Sequence, residues 1–216
     1  MAAGNHVVTF DYQSGQQLKA VADGNIRVNH VTISRNERFL IGSMQSSRVV
    51  IWDIENAFER IVALIEHGRG VRFVDVSSDN RTMISVGGDQ TIFLMGFLER
   101  RVFGHTQPHS NSIYDMQISP DDSLLATSSM DMRIRIWNPD TLELVRELRS
   151  HNDTVNTVHF SMDGRFLASG GMDSQIKIYD IRDDYKEVFH KPGAGWTTVY
   201  AVRFAPDSRT LAATCD

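Results

Sequence analysis

The residues of this 216-residue chain best equipped for chemistry are its eight histidines. Three of them, His67, His109 and His151, recur every 42 residues. Each is followed at constant offsets by a small hydroxyl (Ser85, Thr127, Ser169) and an aspartate (Asp89, Asp131, Asp173). Histidine and carboxylate together can move protons or hold a metal. Metal ligands must converge on one point, however, and groups repeated once per module sit on separate elements. His6, His30, His105, His159 and His190 share no ligand spacing. The chain has no H-E-x-x-H, no paired cysteine and no G-x-S-x-G. Its "VGGDQ" and "SGGMD" turns lack the lysine and following helix of a phosphate cradle. Cys215, the single cysteine, has no evident activating partner. Expected are no catalytic residue, no metal and no cofactor.

The elements that carry these groups repeat. Trp52, Met95, Trp137 and Tyr179 are spaced by 43, 42 and 42 residues, and one further step back lands on Phe10. A module reads as four short strands. "RVVIW", "RIRIW" and "QIKIY" are β-branched or alternating. Turn clusters such as "SSDNR", "SPDDS" and "SMDGR" separate the strands. The last strand, for example "LELVREL", is the most polar and suits an exposed edge. In the first strand of each module the apolar residues fall at positions 0, 3 and 5, as in Val71, Val74 and Val76 or Ile113, Met116 and Ile118. A regular strand buries every second residue, so a step of three predicts one inserted residue, a β-bulge, in all five.

A period of 42–43, four strands, a Ser/Thr-x-x-x-Asp turn and "IWD" closing the third strand resemble the WD40-repeat family of β-propellers. The resemblance covers essentially the whole chain. It implies an all-β, WD40-type β-propeller of about five blade-equivalents, each a four-stranded antiparallel sheet, in one domain. The blades span approximately 26–66, 67–108, 109–150 and 151–194, with a composite of 195–216 and 1–25. Two readings stay open here: a closed five-bladed ring, or part of a seven-bladed propeller. The resemblance also implies a structural role for the recurring polar residues. Asp131 holds its turn and accepts from His109, whose other ring nitrogen meets Thr127, which faces the Trp137 indole. His151, Ser169, Asp173 and Tyr179 repeat the set with a phenol; His67, Ser85 and Asp89 repeat it beside Met95. His105, in "GHTQ", competes with His109 for the network position. Around Trp52 the three polar positions hold Gly24, Gly42 and Ser46, so that blade is expected to be less rigid.

Function then falls to surfaces. The residues flanking each bulge should face the top rim, where the first strands begin. They are Arg27, Asn29, Arg72, Tyr114, Asn156 and Tyr200, with Arg69 and Trp196 in adjoining loops. Arginine and aromatic residues are frequent interface anchors. The favoured reading is a non-catalytic scaffold for other proteins or peptides, within a multiprotein complex. One alternative is a reader of a charged or phosphorylated peptide through Arg27, Arg69 and Arg72. Another, less favoured, is a propeller enzyme using Asp75, Asp115 and His159 near the channel. A net charge of −5 with scattered lysine and arginine argues against direct nucleic-acid binding. The absence of any 18-residue apolar run argues against membrane insertion. One cysteine and no secretory signal suit an intracellular chain, cytoplasmic or nuclear.

Overall fold

The computed structural model describes residues 5–11, 13–63, 67–97, 99, 101–149, 151–192 and 197–216. Strands dominate, and among the described residues the only helical element is a single 3₁₀ turn at Ile181–Asp183. Four four-stranded antiparallel sheets follow one another in the chain. Blade one comprises β3 (Val28–Ile33), β4 (Phe39–Met44), β5 (Val49–Asp53) and β6 (Glu59–Ala63). Blade two comprises β7 (Val71–Val76), β8 (Thr82–Gly87), β9 (Ile92–Gly96) and β10 (Arg101–Thr106). Blade three comprises β11 (Ile113–Ile118), β12 (Leu125–Ser129), β13 (Ile134–Trp137) and β14 (Leu144–Leu148). Blade four comprises β15 (Val155–Phe160), β16 (Phe166–Gly171), β17 (Ile176–Asp180) and β18 (Lys186–Lys191). Two hairpins flank them: β1 (His6–Phe10) with β2 (Gln17–Ala22), and β19 (Val199–Phe204) with β20 (Leu211–Cys215).

The hydrophobic cores lie between blades. Ile41, Val49 and Ile51 of blade one pack with Val71, Val74 and Met95 of blade two. Ile84 and Ile92 of blade two meet Ile113 and Trp137 of blade three, and Ala126 and Ile134 of blade three meet Val155, Phe160 and Tyr179 of blade four. Each buried aliphatic or aromatic side chain of this kind contributes roughly 1.5–3 kcal/mol relative to exposure. A blade therefore buries its faces only against neighbours, as repeat architectures require.

The register shifts in every first strand, between Val28 and His30, Val71 and Phe73, Ile113 and Asp115, Val155 and Thr157, and Val199 and Ala201. The inserted residues are Asn29, Arg72, Tyr114, Asn156 and Tyr200. The extra residue restores parity, so in β7, β11, β15 and β19 both sides of the shift keep their apolar side chains buried, while in β3 Val28 is buried and Ile33 is exposed.

One expectation is corrected. Segments 195–216 and 1–25 do not form a composite four-stranded blade. β19–β20 and β1–β2 are separate two-stranded sheets. Val199, Val202 and Phe204 pack onto blade four, while Val7 and Val21 pack onto blade one. β20 offers mostly exposed, small side chains, Ala212, Ala213 and Thr214, and so presents little apolar area around which a joint sheet could condense.

Candidate functional site

The recurring polar sets were the first candidates for chemistry. In blade three, His109 Nδ1 lies 2.9 Å from the Asp131 carboxylate and Nε2 lies 2.8 Å from Thr127 Oγ1. Trp137 Nε1 donates to the same hydroxyl at 3.0 Å. A carboxylate only accepts, so Nδ1 carries the proton and Nε2 accepts from the hydroxyl. Blade two repeats the chain with His67, Asp89 and Ser85, both contacts at 2.9 Å. Blade four repeats it with His151, Asp173 at 2.9 Å and Ser169 at 2.7 Å. His105 stands apart, stacked on Phe93.

The connectivity hydroxyl–imidazole–carboxylate is that of a nucleophilic triad. Here it cannot meet a substrate, because Ser85, Thr127 and Ser169 are each 0% exposed. The aspartates instead hold turns: Asp89 accepts from the Gly68 and Thr91 backbone, Asp173 from Asn152 and Gln175. Burial raises the Asp131 carboxyl, but the bonds from His109 and Arg135 outweigh it and hold the group well below the ordinary range. Asp89 and Asp173 are lowered for the same reason, against burial, by His67 and His151. Burial also lowers His109, against the pull of Asp131, and so favours the neutral ring. Blade one lacks the set. A Cβ on Gly42 would lie 2.9 Å from the Trp52 ring, and the buried Ser46 hydroxyl has no partner among the described residues.

Much of the channel side is also committed to structure. First strands of successive units line a central cavity of about 240 Å³ that contains His30, Asp75, Asp115, His159 and Arg203. Asp115 accepts from Thr157 Oγ1 at 2.9 Å and from the Val158 backbone at 3.2 Å in the next blade. Gln117 accepts from Phe160 N at 2.6 Å, and His159 Nδ1 from Phe204 N at 3.1 Å. These side chains satisfy backbone donors on the inner edge of the neighbouring sheet, where no further strand exists to pair with them. Burial raises Asp115 to about 6, with Arg203 at 3.6 Å opposing the shift. Burial lowers His30 and His159 to about 4, with Arg203 adding to the effect. Among the described residues no cluster of three or more His, Cys, Asp or Glu is arranged to hold a metal.

The bulges create a different kind of site. Arg27, Asn29, Arg69, Arg72 and Tyr114 converge on one open hollow of about 580 Å³ on the rim of blades one to three. Arg72 lies over the Tyr114 ring at 4.5 Å. Gly70 lets the loop pass against blade one, since a Cβ there would collide with the Gln45 carbonyl. Among the described residues no carboxylate lines the hollow. Among the described residues the guanidinium groups of Arg27, Arg69 and Arg72 have no ion-pair partner.

The other expected surface residues separate. Asn29 and Asn156 are partly used internally, donating to the Val71 and Val199 carbonyls at 2.7 and 2.9 Å. Tyr200 is 56% exposed on the far hairpin, its hydroxyl donating to Asp216 at 3.2 Å. Trp196 lies outside the described residues. Sequence reasoning missed Gln45, Gly88 and Ser112 in the hollow. A signal existed: Gln45, Gly88, Met130 and Met172 recur at the module period, three residues after the Ser/Thr position.

Four-stranded sheets docked edge-inward around a polar channel, with one bulge per inner strand, define a propeller-type repeat protein. The WD domain, G-beta repeat family model matches residues 58–94, 99–138 and 142–180, more than half of the chain. The chain belongs to the WD40 family. Blade one, which lacks the polar set, lies mostly outside the matched stretches. The chain is similar to WD repeat and SOCS box-containing protein 1 of Takifugu rubripes, 26% identical over 56% of this chain and 29% of that protein. It is also similar to eukaryotic translation initiation factor 3 subunit I of Neosartorya fischeri, 30% identical over 40% of this chain and 26% of that protein. Meiotic recombination protein rec14 of Schizosaccharomyces pombe is 29% identical over 45% of this chain and 34% of its own length. The matches thus span about a quarter to a third of these relatives.

Proposed function

We propose that this chain is a non-catalytic interaction module that holds other proteins together through its top face, working inside the cell within a multiprotein complex. The observation that carries the reading is the hollow on blades one to three: three guanidinium groups and an aromatic ring, presented at bulges and adjoining loops, with no carboxylate among the described residues that line it. The sealed hydroxyls and the channel acids committed to backbone donors support the non-catalytic part. Family membership supports the scaffold part, as does likeness to a protein named as a subunit of initiation factor 3.

Affinity purification of the tagged chain from the cells that express it, followed by mass spectrometry, tests this. Captured proteins are expected to be lost on Arg69→Glu or Tyr114→Ala. They are expected to persist on Arg81→Glu, at an exposed turn on the opposite face. Loss with Arg81→Glu and retention with both top-face variants would place the interface elsewhere and overturn the proposal.

A further inference from the structure

The hollow continues around the face, and its character changes from blade to blade. One backbone bond marks equivalent positions: Gln45 N donates to Arg27 O, Gly88 N to Gly70 O, Met130 N to Ser112 O and Met172 N to Thr154 O. Gln45 and Gly88 line the cationic hollow. Met130 and Met172 hold the same places on blades three and four, where they are 44% and 41% exposed. Each stands immediately before the turn aspartate, which is fully engaged, so the thioethers project with no polar task. Exposed methionine is flexible and polarizable and adapts to varied apolar side chains. Besides the engaged turn aspartates, two acidic groups stand among the described residues at the far end of this face. Asp153 precedes the Thr154 backbone it caps, and Asp216 accepts from Thr197, Thr198 and Tyr200.

The face therefore grades from uncompensated positive charge, through methionine, to negative charge. In a chain of net charge −5, three arginines gathered without a carboxylate among the described lining residues repel one another and favour an anion. We infer that the partner segment is an acidic peptide stretch, rich in Asp or Glu, that runs on into apolar side chains, its carboxylates on the Arg27, Arg69 and Arg72 hollow and its apolar residues on Met130 and Met172. The inference rests on the top-face reading above and adds the partner's chemistry and polarity. Carboxylates, spread along a chain, match three arginines carried on separate segments around a wide hollow. A single phosphoryl group is compact and would engage only part of it.

Fluorescence anisotropy with labelled synthetic peptides tests the inference on the full chain. The set comprises an acidic run followed by Leu and Phe, the acidic run alone, the apolar run alone, and the apolar run led by one phosphoserine. The acidic–apolar peptide is expected to bind best. Arg27→Ser with Arg69→Ser should weaken it about tenfold and flatten its salt dependence. Met130→Ser with Met172→Ser should weaken it about threefold, leaving the acid-only peptide unaffected. Each variant is first shown to unfold cooperatively at the parent Tm; Arg81→Glu serves as the surface-charge control. Equal binding of acid-only and acidic–apolar peptides would overturn the graded surface. So would binding of the phosphoserine peptide alone. If no peptide binds while top-face variants still lose captured proteins, this inference fails and the broader reading stands. If top-face variants lose nothing, the broader reading falls with it.

Discussion

The Asn29 side-chain amide donates to the Val71 carbonyl at 2.7 Å, tying the first strand of blade one to the first strand of blade two. Asn29 is the inserted residue between Val28 and His30, and the bulge is what turns its side chain toward the next sheet. Asn156 makes the same bond to Val199 from the bulge of blade four. Replacing either by Ala should lower stability by about 1 kcal/mol, the net worth of a neutral hydrogen bond with a part-buried carbonyl left to water. Urea unfolding with an unchanged m-value would register it. Full stability of both variants would show the bonds to be incidental.

The polar set of blade three should behave as one unit. Asp131→Ala removes the carboxylate acceptor of His109 and Arg135 and the turn bonds to Ser110 and Arg133, and should cost about 3 kcal/mol or more. His109→Ala in the same background should then cost far less than it does alone. A double-mutant cycle measured by denaturant unfolding should give a coupling of about 1–3 kcal/mol. Additive single changes would mean that the groups are neighbours without being a network.

Blade one cannot be repaired by supplying the missing hydroxyl. Gly42 occupies the position of Ser85, Thr127 and Ser169, but the Trp52 ring fills the space where its Cβ would go, with Met44 Cε at 3.3 Å. Gly42→Ser should destabilise by about 1–3 kcal/mol through overpacking. A rise in Tm for that variant would disprove this account of the glycine.

The channel gives two pH dependences of opposite sign. His159 is ordinarily near 6.5 and is lowered to about 4, so the unfolded chain takes up its proton first. Its contribution to stability is complete above about 6.5 and is lost as pH falls towards 4. His159→Asn keeps an acceptor for Phe204 N without a titrating ring, so its Tm should fall less than the parent's between about pH 7.5 and 5. Asp115 is raised to about 6, so the folded chain holds its proton longer. Its contribution is present at low pH and lost as pH rises through about 6. Asp115→Asn should remove that low-pH support and make acidification more damaging. Parallel Tm series across this range check both signs.

What the sequence disclosed follows from which distances repeat. The His, hydroxyl, Asp and Trp offsets lie within one blade and recur at one period, so His109, Thr127, Asp131 and Trp137 could be placed together from spacing. The 0, 3, 5 pattern in strands such as Val155, Val158 and Phe160 exposed the bulges, because burial tolerates no other parity. Contacts between blades were not legible. At the position that is Asp115 in blade three stand His30, Phe73 and Thr157 in the other blades, so each boundary is satisfied by a different donor and acceptor and no periodic signal survives. Asn29 and Asn156 read as rim residues for the same reason: their partners, Val71 and Val199, lie 42 and 43 residues away on another sheet. Segments 195–216 and 1–25 matched in phase, yet phase alone does not supply the apolar area that would zip β20 to a further strand.

The inserted residue in each inner strand belongs to neither face of its sheet, and that exempts it from the demands of the interior. Five such posts are available. Two carry Asn and serve as fasteners between sheets; Arg72 and Tyr114 meet each other on the rim and Tyr200 bonds the exposed Asp216, so the interior does not fix the identity of these three. A lineage of such proteins can rewrite those three letters, and with them its choice of companion, while the frame that displays them stays as it was.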